Sequence, residues 1–450
     1  MSTSSVVSRI AHDSILHAPS IMPEGPWWDH LESNFYERPE GFDLGVRDLV
    51  QVRATAALDV LLRTSMAALL TPLTVPVGYR PNALKQMLDE RRIYEPLAES
   101  RDPRAFFREP PASIEMTSAK AGLTAFRARG GTCEDLSFES AYVPLNERIR
   151  ERYLSHRSNA VARARHWRHK HGPRPTIIAV HGFGAEPYWI NQWMFALPWF
   201  YGIGCDVLLV TLPFHGRRQG RGSVLSGQGF FSGGLSWVNE AFGQAVMDIR
   251  TCVSWLQNER GVEQIGVTGI SLGGFTSALL AATEPRLKFS IPNVPLSSLA
   301  DLVLEWEPIG SIMRAAMLVT GTSIKKVRKA LAVTSPLTYR PVLDRERLMI
   351  IGGVGDRLAP PKHSRLLWDH WGRCRIHWFP GSHIIHLDRG AYLRRMGRFL
   401  NEIGFNQDRR KPKRSMAASS ATGSSRTRSA PSDLASARRA RAARARAAST

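Results

Sequence analysis

Five short apolar runs recur between residues 175 and 353: PTIIAVHG (175–182), DVLLVTL (206–212), QIGVTG (264–269), LKFSIPNV (287–294) and RLMIIGG (347–353). Each ends in glycine or loop residues. Runs of that length without polar alternation belong to strands covered on both faces, the condition of a parallel sheet packed between helices. Between two of them Val238, Phe242, Val246, Ile249, Val253 and Leu256 recur at spacings of three and four, the apolar stripe of a covering helix. Strands and helices that alternate in this way close into right-handed crossovers. The predicted fold class is therefore α/β, a doubly wound and mostly parallel sheet flanked by helices. Residues 134–170 alternate instead, as antiparallel edge strands leading into that sheet would, and a further strand is predicted over 374–379.

Composition divides the 450 residues into three parts. Residues 1–132 are punctuated by proline and carry helix-like runs at 45–70 and 82–98, a helical N-terminal extension. Residues 133–405 form the α/β domain, interrupted at about 297–335 by helical material that reads as an inserted cap. Residues 406–450 are Ala, Ser and Arg with hardly a bulky apolar side chain, and a segment that cannot bury enough surface stays disordered. The formal net charge is +21, and residues 409–450, with twelve Lys or Arg against Asp433, account for +11 of it. A nonspecific anionic partner, nucleic acid or a membrane surface, is expected for that tail rather than for the folded body.

The stretch 55–79 is apolar but broken by Asp59, Arg63, Pro72 and Pro76, short of the roughly 20 residues that span a bilayer. It reads as a buried helix followed by a loop, with an interfacial helix as the alternative. The N-terminus has no secretory signal pattern. Four cysteines, far apart and without a CxxC pair, argue against a zinc site or a disulfide framework. These features predict a cytoplasmic protein, at most peripheral at a membrane. No P-loop, dinucleotide fingerprint or HExxH is present, so no cofactor and no metal are expected.

Chemistry concentrates at Gly269-Ile270-Ser271-Leu272-Gly273. A G-x-S-x-G pattern has meaning where a strand precedes it and a helix follows, as the run 264–268 and FTSALLAA do here. The flanking glycines remove side chains that would collide in a tight turn, and the serine stands exposed on it. A serine hydroxyl needs a base to take its proton, and that base needs a carboxylate to fix its tautomer. Asp356 in GGVGDRLAPP and His383 in WFPGSHIIH follow at separations of 85 and 27 residues, each just after a predicted strand. His386 is the rival base; Asp301 and Asp388 are the rival acids. HGFG (181–184) offers the Phe183 amide, and the residue after the serine offers the Leu272 amide, as donors to an oxyanion. His181 reads as a residue that shapes the loop. The loop after 206–212 carries His215, Arg217, Arg218 and Arg221, at a strand end where α/β sheets bind ligands. Its arginines read as solvated loop charge or, alternatively, as a hold on a substrate carboxylate or phosphate.

HGFG, GISLGG, GDRLAPP and PGSHII, in that order, resemble the α/β-hydrolase superfamily, in particular its esterase, lipase and dienelactone-hydrolase-like serine members. The resemblance covers about 134–405. It implies an eight-stranded sheet, Ser271 as nucleophile, His383 as base, Asp356 as orienting acid, and the Phe183 and Leu272 amides as the oxyanion hole, with no cofactor. It departs in two places: Ser382 stands where many members have glycine, and the N-terminal extension lies outside the common core. The expected function is cleavage of a small-molecule or lipid carboxylic ester or thioester with an apolar acyl group, through an acyl-enzyme. A peptidase or another reaction of the same fold is the alternative, as is a binding protein acting through its tail.

Overall fold

Among the described residues the strands form one nine-stranded sheet. The computed structural model describes residues 25–406, apart from Asp43, residues 79–80, Leu123 and residues 185–187. What was expected of the tail beyond Asn406 lies outside the described residues.

β1 (Thr117–Lys120), β2 (Gly131–Glu139), β3 (Val161–His169) and β5 (Asp206–Thr211) pair antiparallel. From β5 onward the sheet is parallel through β4 (Thr176–Val180), β6 (Ile265–Ile270), β7 (Ser290–Asn293), β8 (Met349–Gly353) and β9 (Arg375–Phe379). Every residue of β4, β5, β6, β7 and β8 is buried, as continuous apolar runs require. The eight-stranded expectation falls one strand short. The addition, β1, is a polar four-residue edge strand exposed along its whole length, so no apolar pattern announces it. The sheet thus begins at Thr117, ahead of the expected boundary at 133.

The N-terminal region contributes α1 (Val46–Gly78) and α2 (Pro81–Glu99). Helix α3 (Leu235–Asn258) is buried continuously from Leu235 to Leu256, on all sides rather than along one stripe. The cause is the extension. Trp27, Trp28, Tyr94, Phe106 and Phe107 join the same apolar core as the stripe of α3, and Glu240 of α3 accepts the Tyr94 hydroxyl at 2.6 Å and the Tyr142 hydroxyl at 2.5 Å. Layers that lie outside the strand repeat therefore close one face of the domain.

Helix α1 continues through Pro72 and Pro76, where a loop was expected; prolines in long helices more often kink than end them. Among the described residues one helix, Asp48–Pro72, is long and apolar enough to cross a membrane by length and composition, and 28% of that window is buried. It is therefore not the buried helix expected: Val52, Asp59, Ala67 and Leu70 face inward, while Val50, Leu61 and Leu69 are exposed.

Candidate active site

The turn between β6 and α4 (Leu272–Thr283) holds Ser271 at φ 56, ψ −115. A non-glycine residue in that region is strained and persists only where its surroundings over-determine it. Here the Ser271 amide donates to the Asn293 carbonyl at 3.0 Å, and its carbonyl accepts the Phe275 amide at 2.9 Å. A Cβ on Gly269 would lie 2.0 Å from the Gly273 carbonyl oxygen, and one on Gly273 would lie 1.8 Å from that of Val180. The glycines are thus demanded by backbone packed against backbone. Gly273→Ala should cost about 1–3 kcal/mol as overpacking, read as a lower melting temperature; an unchanged melting temperature would show that β4 yields.

Asp356 follows β8 and His383 follows β9, at the same edge of the parallel sheet as Ser271. His383 Nδ1 donates to Asp356 Oδ2 at 2.7 Å, while Asp356 Oδ1 accepts the amides of Leu358 at 2.9 Å and Ala359 at 2.8 Å. Both side chains are buried. Burial alone would depress the His383 pKa, but the adjacent Asp356 carboxylate and its hydrogen bond, with Asp59 more weakly, hold it above the ordinary histidine value. Among the described residues no hydrogen bond joins Ser271 to His383. Catalytic contacts of this kind are commonly long before substrate binds.

Of the rivals, His386 and Asp301 are otherwise engaged, while Asp388 Oδ2 is buried without a hydrogen-bond partner among the described residues. His386 Nε2 meets the carbonyl of His383 at 3.0 Å, and its ring lies against Phe379. Asp301 is gripped by Arg328 at 2.6 and 2.9 Å, and Asp388 leads into the helix Arg389–Glu402. Ser382, the departure from glycine, is buried and accepts the Ile385 amide at 3.3 Å, bracing the turn that carries His383.

In the loop after β4, His181 Nε2 accepts the Leu212 amide at 3.0 Å, which leaves Nδ1 as the donor to the Gly182 carbonyl at 2.8 Å. Burial pushes its pKa down to about 4, so a neutral ring ties this loop to the end of β5. A Cβ on Gly182 would sit 3.4 Å from that of Ser271, so the backbone of the Phe183 loop runs beside the serine. Leu272 is the first residue of α4, where an amide has no intrahelical acceptor.

The Arg218 reading needs correction. It is fully buried, paired with Asp248 at 2.8 Å and bonded to the carbonyls of Thr211 and Asn159. A buried charge requires such a partner, and this arginine is neither solvated nor free for a ligand.

Ser271 opens into a cavity of about 160 Å³ whose walls are almost wholly apolar. Phe183 and Phe231 close one side. The insertion supplies another through Leu302, Trp306, Met313 and Met317, on the helices α5 (Leu299–Glu305) and α6 (Ile309–Val319) or just between them. Sequence reasoning anticipated that cap but missed two residues of α1. Leu70 lines the cavity, and Asp59 accepts the His383 amide at 2.7 Å. The signal available for Asp59 was a carboxylate set inside an apolar helix, which must find partners.

A serine on a strained turn after β6, with an acid after β8 and a histidine after β9, is the arrangement that the α/β-hydrolase fold provides. The chain has the fold of the α/β-hydrolase superfamily. Residues 125–303 match the family described as Alpha/beta hydrolase domain containing 18, a span that includes Ser271 and stops short of Asp356 and His383. The chain is also similar to Uncharacterized protein Rv2627c of Mycobacterium tuberculosis, and to MT2702 of a second strain. Each is 30% identical over 290 residues, covering 62% of this chain and 66% of theirs. The match thus spans just under two thirds of those relatives. Among solved structures, acetyl xylan esterase 1 from Thermoanaerobacterium aligns at 16% identity over 71% of this chain and 98% of that one, TM-score 0.46. The Pyrococcus horikoshii acylaminoacyl peptidase aligns at 20% identity over 55% and 39%, TM-score 0.36.

Proposed function

We propose that the protein is a serine hydrolase of carboxylic esters or thioesters with medium-length apolar acyl groups. Ser271 attacks the acyl carbon. His383 takes the hydroxyl proton through Nε2 and returns it to the leaving group, and Asp356 holds Nδ1 and stabilises the imidazolium. The Phe183 and Leu272 amides receive the oxyanion. The acyl-enzyme on Ser271 is then released by water, which His383 activates in turn.

The observation that carries the acyl specificity is the apolar cavity at Ser271. A dry cavity of about 150 Å³ takes a benzene-sized guest, so 160 Å³ suits an acyl group of about six carbons. Each methylene buried there contributes about 0.8 kcal/mol, or roughly fourfold in kcat/KM. A p-nitrophenyl ester series should therefore rise steeply from acetyl to hexanoyl and flatten beyond it. Met313→Trp, which fills the cavity, should cut the hexanoyl rate by at least about tenfold while sparing acetyl. A flat series, or equal losses on both esters, would remove the acyl-pocket reading.

A further inference from the structure

Helix α1 lies outside the alternation that builds the sheet, yet its Asp59 is completely buried. A carboxylate in such a place is costly unless its oxygens are filled by donors. Asp59 Oδ2 accepts the amide of His383 at 2.7 Å and that of Arg357 at 3.0 Å, and Oδ1 accepts the amide of Ile384 at 3.4 Å. Arg63, one turn further along, donates Nη1 to the Arg357 carbonyl at 3.0 Å. One side chain of the extension therefore ties the loop after β8, at the neighbour of Asp356, to the loop after β9, at His383 itself.

We propose that Asp59 is a positioning residue which clamps the Asp356 and His383 loops together and aims the imidazole at Ser271, so that the site is incomplete without helix α1. The proposal rests on the serine-hydrolase reading. Two consequences separate it from mere support of the fold. Its amide contacts fix where His383 sits, and misplacing a catalytic group by about 1 Å costs on the order of a hundredfold. Its charge also acts on His383, whose ionisable neighbours are Asp356 on the β8 loop, Asp59 on α1 and His386 on its own loop, while Arg63 faces Asp59 and the Arg357 guanidinium faces Arg63. A negative group nearby favours imidazolium, so neutralising Asp59 must move the acid limb of kcat/KM to lower pH.

The test uses the full chain. Asp59→Ala should lower kcat for p-nitrophenyl hexanoate about a hundredfold with KM within threefold of wild type. Asp59→Asn, which keeps an acceptor and the side-chain shape, should lose about tenfold. Both should show the acid limb displaced downward, whereas Arg53→Gln on the exposed face of the same helix should match wild type. The His383 imidazole titration, followed by NMR in a Ser271→Ala background with and without Asp59→Asn, needs no turnover and should show the same downward displacement. Wild-type kcat and an unmoved limb in Asp59→Asn would overturn the proposal, as would losses that merely follow the folded fraction while the His383 titration stays put. Undiminished fluorophosphonate labelling of Ser271→Ala would instead strike the hydrolase reading, and the NMR titration would still judge Asp59 separately.

Discussion

Ser271→Ala should abolish labelling by a fluorophosphonate and lower kcat on the hexanoyl ester by roughly 10⁵–10⁶-fold, the scale on which removal of the nucleophile collapses a triad that works as one unit. The size of the loss follows from the local build. Alanine keeps the Cβ that the backbone at φ 56 already accommodates, so the turn gains no strain. Both main-chain anchors, to Asn293 and Phe275, survive. The melting temperature should therefore stay where it is and KM should change little, since the acyl group still lies against Phe183, Leu302 and Met313. Everything lost is chemistry. A variant that still labels at the wild-type rate would place the nucleophile elsewhere.

The parts of this site that were legible in the sequence share a physical cause. Strands β4 to β8 are buried on both faces, so their side chains are selected for one property, and the runs stand out. Ser271 and Asp356 sit where such a run stops and His383 follows the partly buried β9, all on turns marked by glycine or proline, so strand ends and turn chemistry together pointed to them. What stayed hidden depends on contacts remote in sequence. Asp59 lies 324 residues from the amide it accepts at 2.7 Å, and no local periodicity carries that pairing. The burial of α3 on all sides depends on Trp27, Tyr94 and their neighbours arriving from the extension. Arg218 looked like a loop charge because only the fold brings Asp248 to it. Fold class was readable from local patterns, whereas the support of the loops that carry Asp356 and His383 was a product of tertiary packing.

Asp356→Asn separates these two kinds of contribution most sharply. The carboxamide can still accept the Leu358 and Ala359 amides through Oδ1, so the loop is held as before. At the position of Oδ2, however, an N–H₂ group faces the Nδ1–H of His383, and two donors cannot share a hydrogen bond. The imidazole then settles in the tautomer with its proton on Nε2, which cannot accept from Ser271. Hence kcat should fall by about 10³–10⁴-fold. The pH profile has a definite sign. In the wild type, kcat/KM should fall as pH drops through the His383 pKa, which the carboxylate holds above the ordinary value against the pull of burial. Without that charge, burial prevails and the acid limb moves to lower pH. The variant's deficit should therefore be smaller at pH 5 than at pH 8, because the wild-type base is protonated there while the variant's remains neutral. Asp301→Asn gives the contrast: it leaves Arg328 buried without its anion, a stability loss of about 3–5 kcal/mol by the usual cost of breaking such a pair, and should melt lower with its acid limb unmoved. An Asp356→Asn profile whose midpoint coincides with wild type would mean that some other carboxylate sets the charge of His383.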